Sequence, residues 1–473
     1  MRRLRPLAVA CVLALGACAL PDAARHDDLV RDALPNVAVP AQYAAAAAAP
    51  GAAADDWLGE FRDPALAALV REALAYNPDL RIAAARVDQA NAYLAGAKSP
   101  LWPQFNLVAR GGGKMSGDSS GLQGVGLFAS WEIDLWGRVR ATTRATELQS
   151  EAAALDAQYA RQSIAALVAK AWITAIEAQL QMAQAEAMQR SAEQLAALAR
   201  DRQRVGVGND FDVTVAQANV ETMRDTVRSL DLARTNALRA LETLVGRYPA
   251  AAVAVAAALP AWPGDVPVGL PSELLERRPD VVAAERRVAA AFYRVEEAKA
   301  ARLPRITLVA NYTSISSDLF VLKNRDDPLL SFGAGLVQPV FLGGLLQSQV
   351  DVRTAEQQAA IADYGKVGAR AFGEVEGALA SGAAAADREA ILGRAVAEST
   401  RALDLAGVRY RVGSADLRTV QQQQIELGSA RAALLRMQAD RLVQRVNLHL
   451  ALGGSFDARP REVVGTAGAK AAP

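Results

Sequence analysis

Reactive side chains are scarce in this chain of 473 residues, which holds only two histidines and two cysteines. Cys11 and Cys18 sit together near the start, and the histidines are His26 and His449. A structural or catalytic zinc site draws three or four ligands from such residues, so no His/Cys cluster is expected. Aromatic residues make up 5% of the chain, and 52 Lys and Arg are balanced by 51 Asp and Glu. A balance this even leaves no basic face for nucleic acid. No run of apolar residues reaches the ~20 that a spanning helix requires. Gly111-Gly112-Gly113-Lys114 lacks the spacing of a phosphate loop and opens no helix. Acids are plentiful but fall on amphipathic stretches rather than in a pocket, so no enzyme is expected. Neither proline nor glycine occurs from residue 138 to residue 204, so nothing in that stretch breaks a helix.

Alanine is the main contributor to an apolar content of 52%, and alanine-rich, charge-laced sequence favours long helices in close approach. The chain opens with Arg2, Arg3 and Arg5, an apolar run from Leu7 to Leu15, and small residues. That order describes a secretory signal over residues 1–17. Leu15-Gly16-Ala17-Cys18 resembles the bacterial lipobox, in which the cysteine becomes the lipid-bearing first residue; the alternative is an ordinary signal with a chance cysteine. Removal of the signal leaves Cys18 alone, so no internal disulfide can form and stability rests on packing. Residues 18–56 are expected to be a lipidated tether, extended over the low-complexity stretch 22–56. Residues 456–473 are expected to be a disordered tail.

The chain contains itself twice. Asn77-Pro78-Asp79-Leu80 returns as Arg278-Pro279-Asp280-Val281, an offset of 201 residues. Trp136-Gly137, Arg204-Val205-Gly206 and Val245-Gly246 return as Gly343-Gly344, Arg411-Val412-Gly413 and Leu452-Gly453, an offset of 207. A repeat this long is a duplicated domain, and each copy must make the same pieces. The copies are assigned to 57–262 and 263–455.

Each copy predicts a helix opened by proline (Pro78, Pro279), two strands, and a long helical hairpin. The hairpins cover about 137–246 and 344–452; at ~1.5 Å per residue each long arm is on the order of 100 Å. Glycines in the second long arm, among them Gly365, Gly373 and Gly382, predict local bends. The strands are expected at about 104–113 and 124–134, and at 305–315 and 331–341. Apolar residues alternate with more polar ones in all four, as in a sheet with two unlike faces. Locally this fits a soluble antiparallel sheet packed on helices. It also fits tilted membrane-crossing strands, which run to about ten residues. An open sheet in lipid leaves backbone groups unpaired at several kcal/mol each, so four strands in a membrane require oligomerisation; three copies supply twelve.

These residues carry a family resemblance. The chain resembles the TolC-like outer membrane factors, in particular the NodT-type lipoproteins serving resistance-nodulation-division efflux pumps. The resemblance rests on the lipobox, on Trp57 with Phe61-Arg62-Asp63-Pro64, and on Asn77-Pro78-Asp79-Leu80. Further matches are Trp131-Glu132-Ile133-Asp134-Leu135-Trp136-Gly137-Arg138, the specific block Leu270–Val281, Pro339-Val340-Phe341 with Gly343-Gly344, and Ala451-Leu452-Gly453-Gly454. It implies a mainly α fold with a transmembrane β part: helical hairpins forming an α-barrel, and four strands per chain in a twelve-stranded trimeric β-barrel. It implies a homotrimer in outer membrane lipid, an exit duct for small molecules, a periplasmic adaptor and an inner-membrane pump as partners, and no cofactor beyond the lipid on Cys18. An exit duct for a secreted polypeptide, and a lipid-anchored scaffold without a pore, are the alternatives.

The resemblance also assigns sites. Val205 and Gly206, with Val412 and Gly413, are the hairpin tips that would face the adaptor, although turn chemistry alone accounts for glycine there. At the closed end of the helical tunnel the family carries leucine and aspartate, where this chain has Arg418 and Gln422. These two are the gate candidates, with Asp416 and Asp212 as neighbouring acids; a plain solvated helix face is the alternative.

Overall fold

A computed structural model describes residues 20–45, 55–110, 122–317 and 329–456. The expectations placed on the signal, on Cys18 and on the tail beyond residue 456 fall outside the described residues. The first copy runs through helices α1 (His26–Ala33), α2 (Trp57–Glu60), α3 (Pro64–Tyr76) and α4 (Pro78–Lys98). Strands β1 (Gln104–Arg110) and β2 (Leu122–Ile133) follow, then the hairpin of α5 (Arg138–Arg204) and α6 (Asp210–Val245). The second copy runs through α7 (Leu274–Arg277), α8 (Pro279–Ala300), β3 (Arg305–Ser317), β4 (Leu329–Val337), α9 (Leu345–Arg411) and α10 (Leu417–Ala451). Both long arms, α5 and α9, have 67 residues. Despite its glycines, α9 is one continuous helix.

Local chemistry sets the helix starts. Asp63 accepts hydrogen bonds from the Ala65 and Leu66 N–H groups while Pro64 occupies the first turn, where its missing N–H costs nothing. The two return helices open on equivalent caps 207 residues apart: Asn209 accepts from Asp212 N, and Asp416 accepts from Thr419 N.

The chain divides into two compact units that cut across the sequence copies. The first takes the chain up to Val37 with Ala84–Ala157 and Asp280–Ala369. It contains all four strands in one antiparallel sheet of order β1-β2-β3-β4. Here the segment expected to be an extended tether departs from that reading. It forms α1, buries Leu29 and Leu34, and lays the Ala33 carbonyl against Gly365 so closely that any side chain there would collide. His26 completes the docking, its Nδ1 2.9 Å from a Glu285 carboxylate oxygen. The reason is that Leu29 and Leu34 give this alanine-rich stretch enough apolar surface to pack.

The second unit takes Ala38–Ala83, Gln158–Pro279 and the chain from Arg370 on. Its core joins Leu66, Leu69 and Val70 of α3, Ile164, Val168, Trp172 and Ile176 of α5, Leu238 and Leu241 of α6, and Leu442 and Val446 of α10. Each such side chain contributes ~1.5–3 kcal/mol on full burial. The indole N–H of Trp172 donates to Asp63 at 2.7 Å, tying the cap of α3 to the long arm. Against the expectation of no spanning helix, α5 has an 18-residue window of mean hydropathy 1.3, apolar enough to cross a membrane by composition, but half of that window is buried in the protein.

Candidate functional site

The sheet has two unlike faces. Across the strands, Leu107 is paired with Leu127, Leu127 with Tyr312, and Tyr312 with Leu330. One step along, Phe105, Ala129, Ala310 and Phe332 form the next row. Side chains alternate between faces, so these rows, with Trp131, Leu308, Ala334 and Leu336, make an apolar band on one face. Most of its large members are exposed. The other face carries Gln104, Asn106, Ser130, Glu132, Arg305, Thr307, Asn311 and Ser331, with Gly126, Gly333 and Gly335 between them. Lipid on the first face and water on the second suits most of these positions, with Val108, Phe128 and Val309 as apolar members of the second face. The outer edges of β1 and β4 have no partner strand among the described residues.

The strand-to-helix junction explains the Trp131–Arg138 motif. Glu132 receives both the Nε and an Nη of Arg138, at 3.0 and 2.8 Å. Asp134 accepts from the backbone N–H groups of Val139 and Arg140, both at 2.9 Å, and so caps the first turn of α5. The Trp136 indole donates to the Pro304 carbonyl at 2.8 Å, fastening the end of β2 to the start of β3.

At the far end of α5, Gly206 adopts φ 81° and Gly413, after α9, adopts φ 77°. Gly206 N donates to Gln203 O and Gly413 N to Tyr410 O, so both glycines serve as left-handed helix terminators. Val205 and Val412 are exposed, as are Val207 and Phe211 on the first tip. Arg418 and Gln422 lie on the exposed face of α10, opposite buried Leu417, Val420 and Gln421. Gln422 donates to Glu426 at 2.8 Å, which extends that polar row by one more turn. Asp416 is not a free acid: it is the cap of α10, bonded to the Thr419 N–H and hydroxyl at 2.8 and 2.6 Å. Those two bonds, and then the Arg418 charge, hold its carboxyl below the usual range. Asp212 forms no ion pair with Arg418 among the described residues.

Sequence reasoning missed two buried polar devices. Asn77 donates its amide to the Leu244 carbonyl at 2.8 Å, and Arg278 donates to the Ala451 carbonyl at 3.1 Å. The donors are 201 residues apart and the acceptors 207 apart, so the two copies place the same latch on the end of the return helix with different chemistry. Gly246 and Gly453, each just past that helix, pack so that a Cβ would meet Tyr76 O at 2.9 Å and Arg277 O at 3.3 Å. The second device is a cluster of Trp57, Glu60, Arg445 and His449. Arg445 donates to Glu60 at 2.5 Å, and His449 stacks on Trp57 with its Nε2 3.2 Å from the same carboxylate oxygen. Burial pushes His449 below its ordinary value, against the pull of Glu60. Burial alone would raise Glu60, but the His449 ring and the Arg445 guanidinium bring it down to about 2.

An open sheet with one lipid-compatible face, joined to helical arms of 67 residues, defines a subunit of an oligomeric outer-membrane channel with a periplasmic extension. Comparison with known proteins agrees. The outer membrane efflux protein family matches residues 69–247 and again 270–454, once per copy. The pyoverdine export outer membrane protein OpmQ of Pseudomonas putida is 32% identical, over 89% of this chain and 93% of its own. The cation efflux system protein CusC of Escherichia coli K12 is 30% identical, over 96% and 99%. Among solved structures, the outer-membrane channel OprN superposes with a TM-score of 0.81 at 28% identity, covering 90% of this chain and 99% of its own. The open-state MtrE channel of Neisseria gonorrhoeae gives 0.79 at 27%, covering 94% and 100%.

The chain belongs to the outer membrane efflux protein family. It is an outer-membrane exit duct of a tripartite efflux system, it extends into the periplasm, and its relatives are channel proteins rather than enzymes.

Proposed function

We propose that the duct conducts small molecules passively, driven by a resistance-nodulation-division pump in the inner membrane and fed through a periplasmic adaptor. The observation that carries this reading is the two-faced sheet, whose more polar face is mostly uncharged, with Glu132, Arg305 and Arg110 as its charged positions and Val108, Phe128 and Val309 as apolar ones. Such a wall offers cargo no chemically selective pocket, so it suits passage rather than binding. The printed names of relatives mention pyoverdine, cations and toluene, which have little chemistry in common. Loss of the gene should sensitise its host to small toxic compounds and leave its secreted proteins unchanged. A changed secretome with unchanged susceptibility would instead favour a polypeptide duct. Purified trimers should conduct in planar bilayers; trimers that never conduct, even with the gate residues replaced, would leave a scaffold.

Three finer assignments belong to the same reading. Val205, Gly206, Val412 and Gly413 are the adaptor-facing tips, supported by the exposure of both valines; photocrosslinkers at 205 and 412 should capture the adaptor, and capture only from mid-helix positions would refute this. Arg418 and Gln422 line the constriction, supported by their place on the exposed face of α10. Three converging guanidinium groups favour anions, so Arg418→Leu should shift the reversal potential toward cations. Cys18 carries the lipid, supported by the lipobox that ends on it; mass spectrometry of the mature N-terminus should find a diacylglyceryl cysteine with an amide-linked acyl chain.

A further inference from the structure

An α-helix offers a neighbour the same backbone carbonyls at every turn, so an amide side chain that bonds one of them scarcely specifies which turn it meets. The seam between α5 and α10 is built in this way. Gln181 donates to the Ala432 carbonyl and Gln184 to the Gly428 carbonyl, both at 3.0 Å, and Gln424 donates to Ser191 Oγ at 2.8 Å. None of these groups is charged. Gln421, buried on the same helix, leaves its amide nitrogen without a hydrogen-bond partner among the described residues. An unmet buried donor is a cost, so hydrogen bonding alone does not select this register.

Shape supplies what the hydrogen bonds leave open. Met188 of α5 lays its thioether over the backbone of Gly428 so closely that a Cβ there would overlap both the Sδ and the Cε. The residues one turn away along α10 are Gln424 and Ile425 on one side and Arg431 and Ala432 on the other, all with side chains. A slip of one turn in either direction therefore sets a Cβ against Met188, and this register alone opens a notch for it. Met188 also borders a cavity of about 90 Å³, lined with Met223, Leu403, Gln424, Ile425 and Gly428. An unbranched thioether is flexible enough to leave the notch for that cavity, which makes the interlock releasable.

We propose that Met188, seated on Gly428, is the pin that fixes the axial register of α10 against α5, and through it the position of Arg418 and Gln422. The inference rests on the reading of those two residues as the constriction, and adds to it what holds them in place. Gly428 lies ten residues from Arg418 and six from Gln422 on one continuous helix, about 15 and 9 Å along its axis. No glycine or proline comes between them, so a displacement at the pin is carried whole to the constriction.

With the pin seated, Arg418 and Gln422 are held at one height. With Met188 withdrawn into the cavity, α10 is free to move along its row of glutamines, whose neutral bonds re-form on the next carbonyls. A slip of one turn, ~5.4 Å, toward the C-terminal end of α10 carries Gln421 toward the place of Gln424, opposite Ser191. It thereby gives the unmet amide a partner. The run Gln421-Gln422-Gln423-Gln424 thus offers the seam two registers, and the notch at Gly428 chooses between them.

Crosslinking in the full-length protein reads the register directly, since the chain has no cysteine beyond Cys18. Ser191→Cys with Gln424→Cys should be joined by a short thiol-to-thiol reagent, and Ser191→Cys with Gln421→Cys at least tenfold less. Adding Met188→Ala, or Gly428→Ala, which fills the notch with a methyl group, should raise the yield at 421 severalfold relative to that at 424. Met188→Ala keeps the test decisive if Gly428→Ala fails to fold. A ratio of yields that neither substitution changes overturns the pin. Conductance in planar bilayers, measured without the added cysteines, tests the constriction separately. Each substitution should raise the fraction of time spent open at least tenfold, and the double variant should go no further than either single one, because there is one pin to remove. Single effects that multiply in the double variant would mean two independent sites and overturn the pin as well. A shifted ratio with wild-type conductance upholds the pin and refutes the placement of Arg418 and Gln422 at the constriction.

Discussion

Arg278 offers a measurable test of how the second unit holds its return helix. The side chain is 0% exposed, bonds the Ala451 carbonyl, pairs with Glu374 at 2.6 Å, and lies over the Tyr159 ring at 5.7 Å. Glu374 is 41% exposed, so its pairing is screened and counts for no more than ~1 kcal/mol. The carbonyl bond is buried, and leaving its acceptor unmet costs ~1–3 kcal/mol. Arg278→Ala adds the loss of a long packed stem, so its total is about 3–5 kcal/mol. Arg278→Met keeps much of the volume and escapes the desolvation of a buried cation, so it should lose only about 1–2 kcal/mol. Asn77→Ala removes an amide bond to Leu244 O and the acceptor for Asp79 N and Leu80 N, about 2 kcal/mol in all. The assay is urea unfolding of the detergent-solubilised protein followed by tryptophan fluorescence. The midpoints should fall in the order Arg278→Met, Asn77→Ala, Arg278→Ala, from least to most destabilised. An Arg278→Ala midpoint indistinguishable from wild type would refute the latch.

Gly365→Ala should expel the Ala33 carbonyl, at a cost of about 1–3 kcal/mol for overpacking, and make residues 20–45 sensitive to limited proteolysis while the rest resists. Acid should weaken the second unit in two stages through the Glu60–His449 cluster. His449 is held below 6.5, so an unfolded chain takes up its proton first and stability falls as pH drops below 6.5. Glu60, lowered from 4.5 to about 2, loses its stabilising charge only as pH falls below 4.5; His449→Gln should therefore flatten the urea midpoint between pH 7 and 5 and, by removing one of the two groups that lower Glu60, shrink the acid limb to the part that Arg445 sustains. Gly206→Ala and Gly413→Ala place a Cβ at positive φ and should each destabilise their hairpin by about 1 kcal/mol, read as faster proteolysis at the tip with unchanged resistance of the sheet unit.

Much of this architecture was legible because it is periodic. The offsets of 201 and 207 locate the paired helices and strands, and alternation in Phe105–Ala109 and Ile306–Tyr312, broken only at Val108 and Val309, sets the faces of the sheet. The latches were not legible. Asn77 and Arg278 look unrelated in sequence, and their common role rests on carbonyls at Leu244 and Ala451, contacts across 167 and 173 residues that no local pattern encodes. Asp416 was legible only in part: its charge marks it as an acid near Arg418, while its further role as the cap of α10 depends on the Thr419 N–H three residues on. The post-signal segment read as a tether because alanine and proline dominate it, and Leu29, Leu34 and Tyr43 outweigh that composition only once there is a surface to receive them.

The equal length of α5 and α9, 67 residues each, constrains how such a chain can diverge. One residue inserted into either arm would advance its tip by ~1.5 Å and rotate it by ~100° against its counterpart, putting the two tips out of step for anything that grips both. Changes of length are therefore admissible only in pairs, or where the helices do not feel them. The six-residue difference between the offsets 201 and 207 arises between the start of β3 and the start of β4, where β3 has 13 residues against 7 in β1, outside both arms.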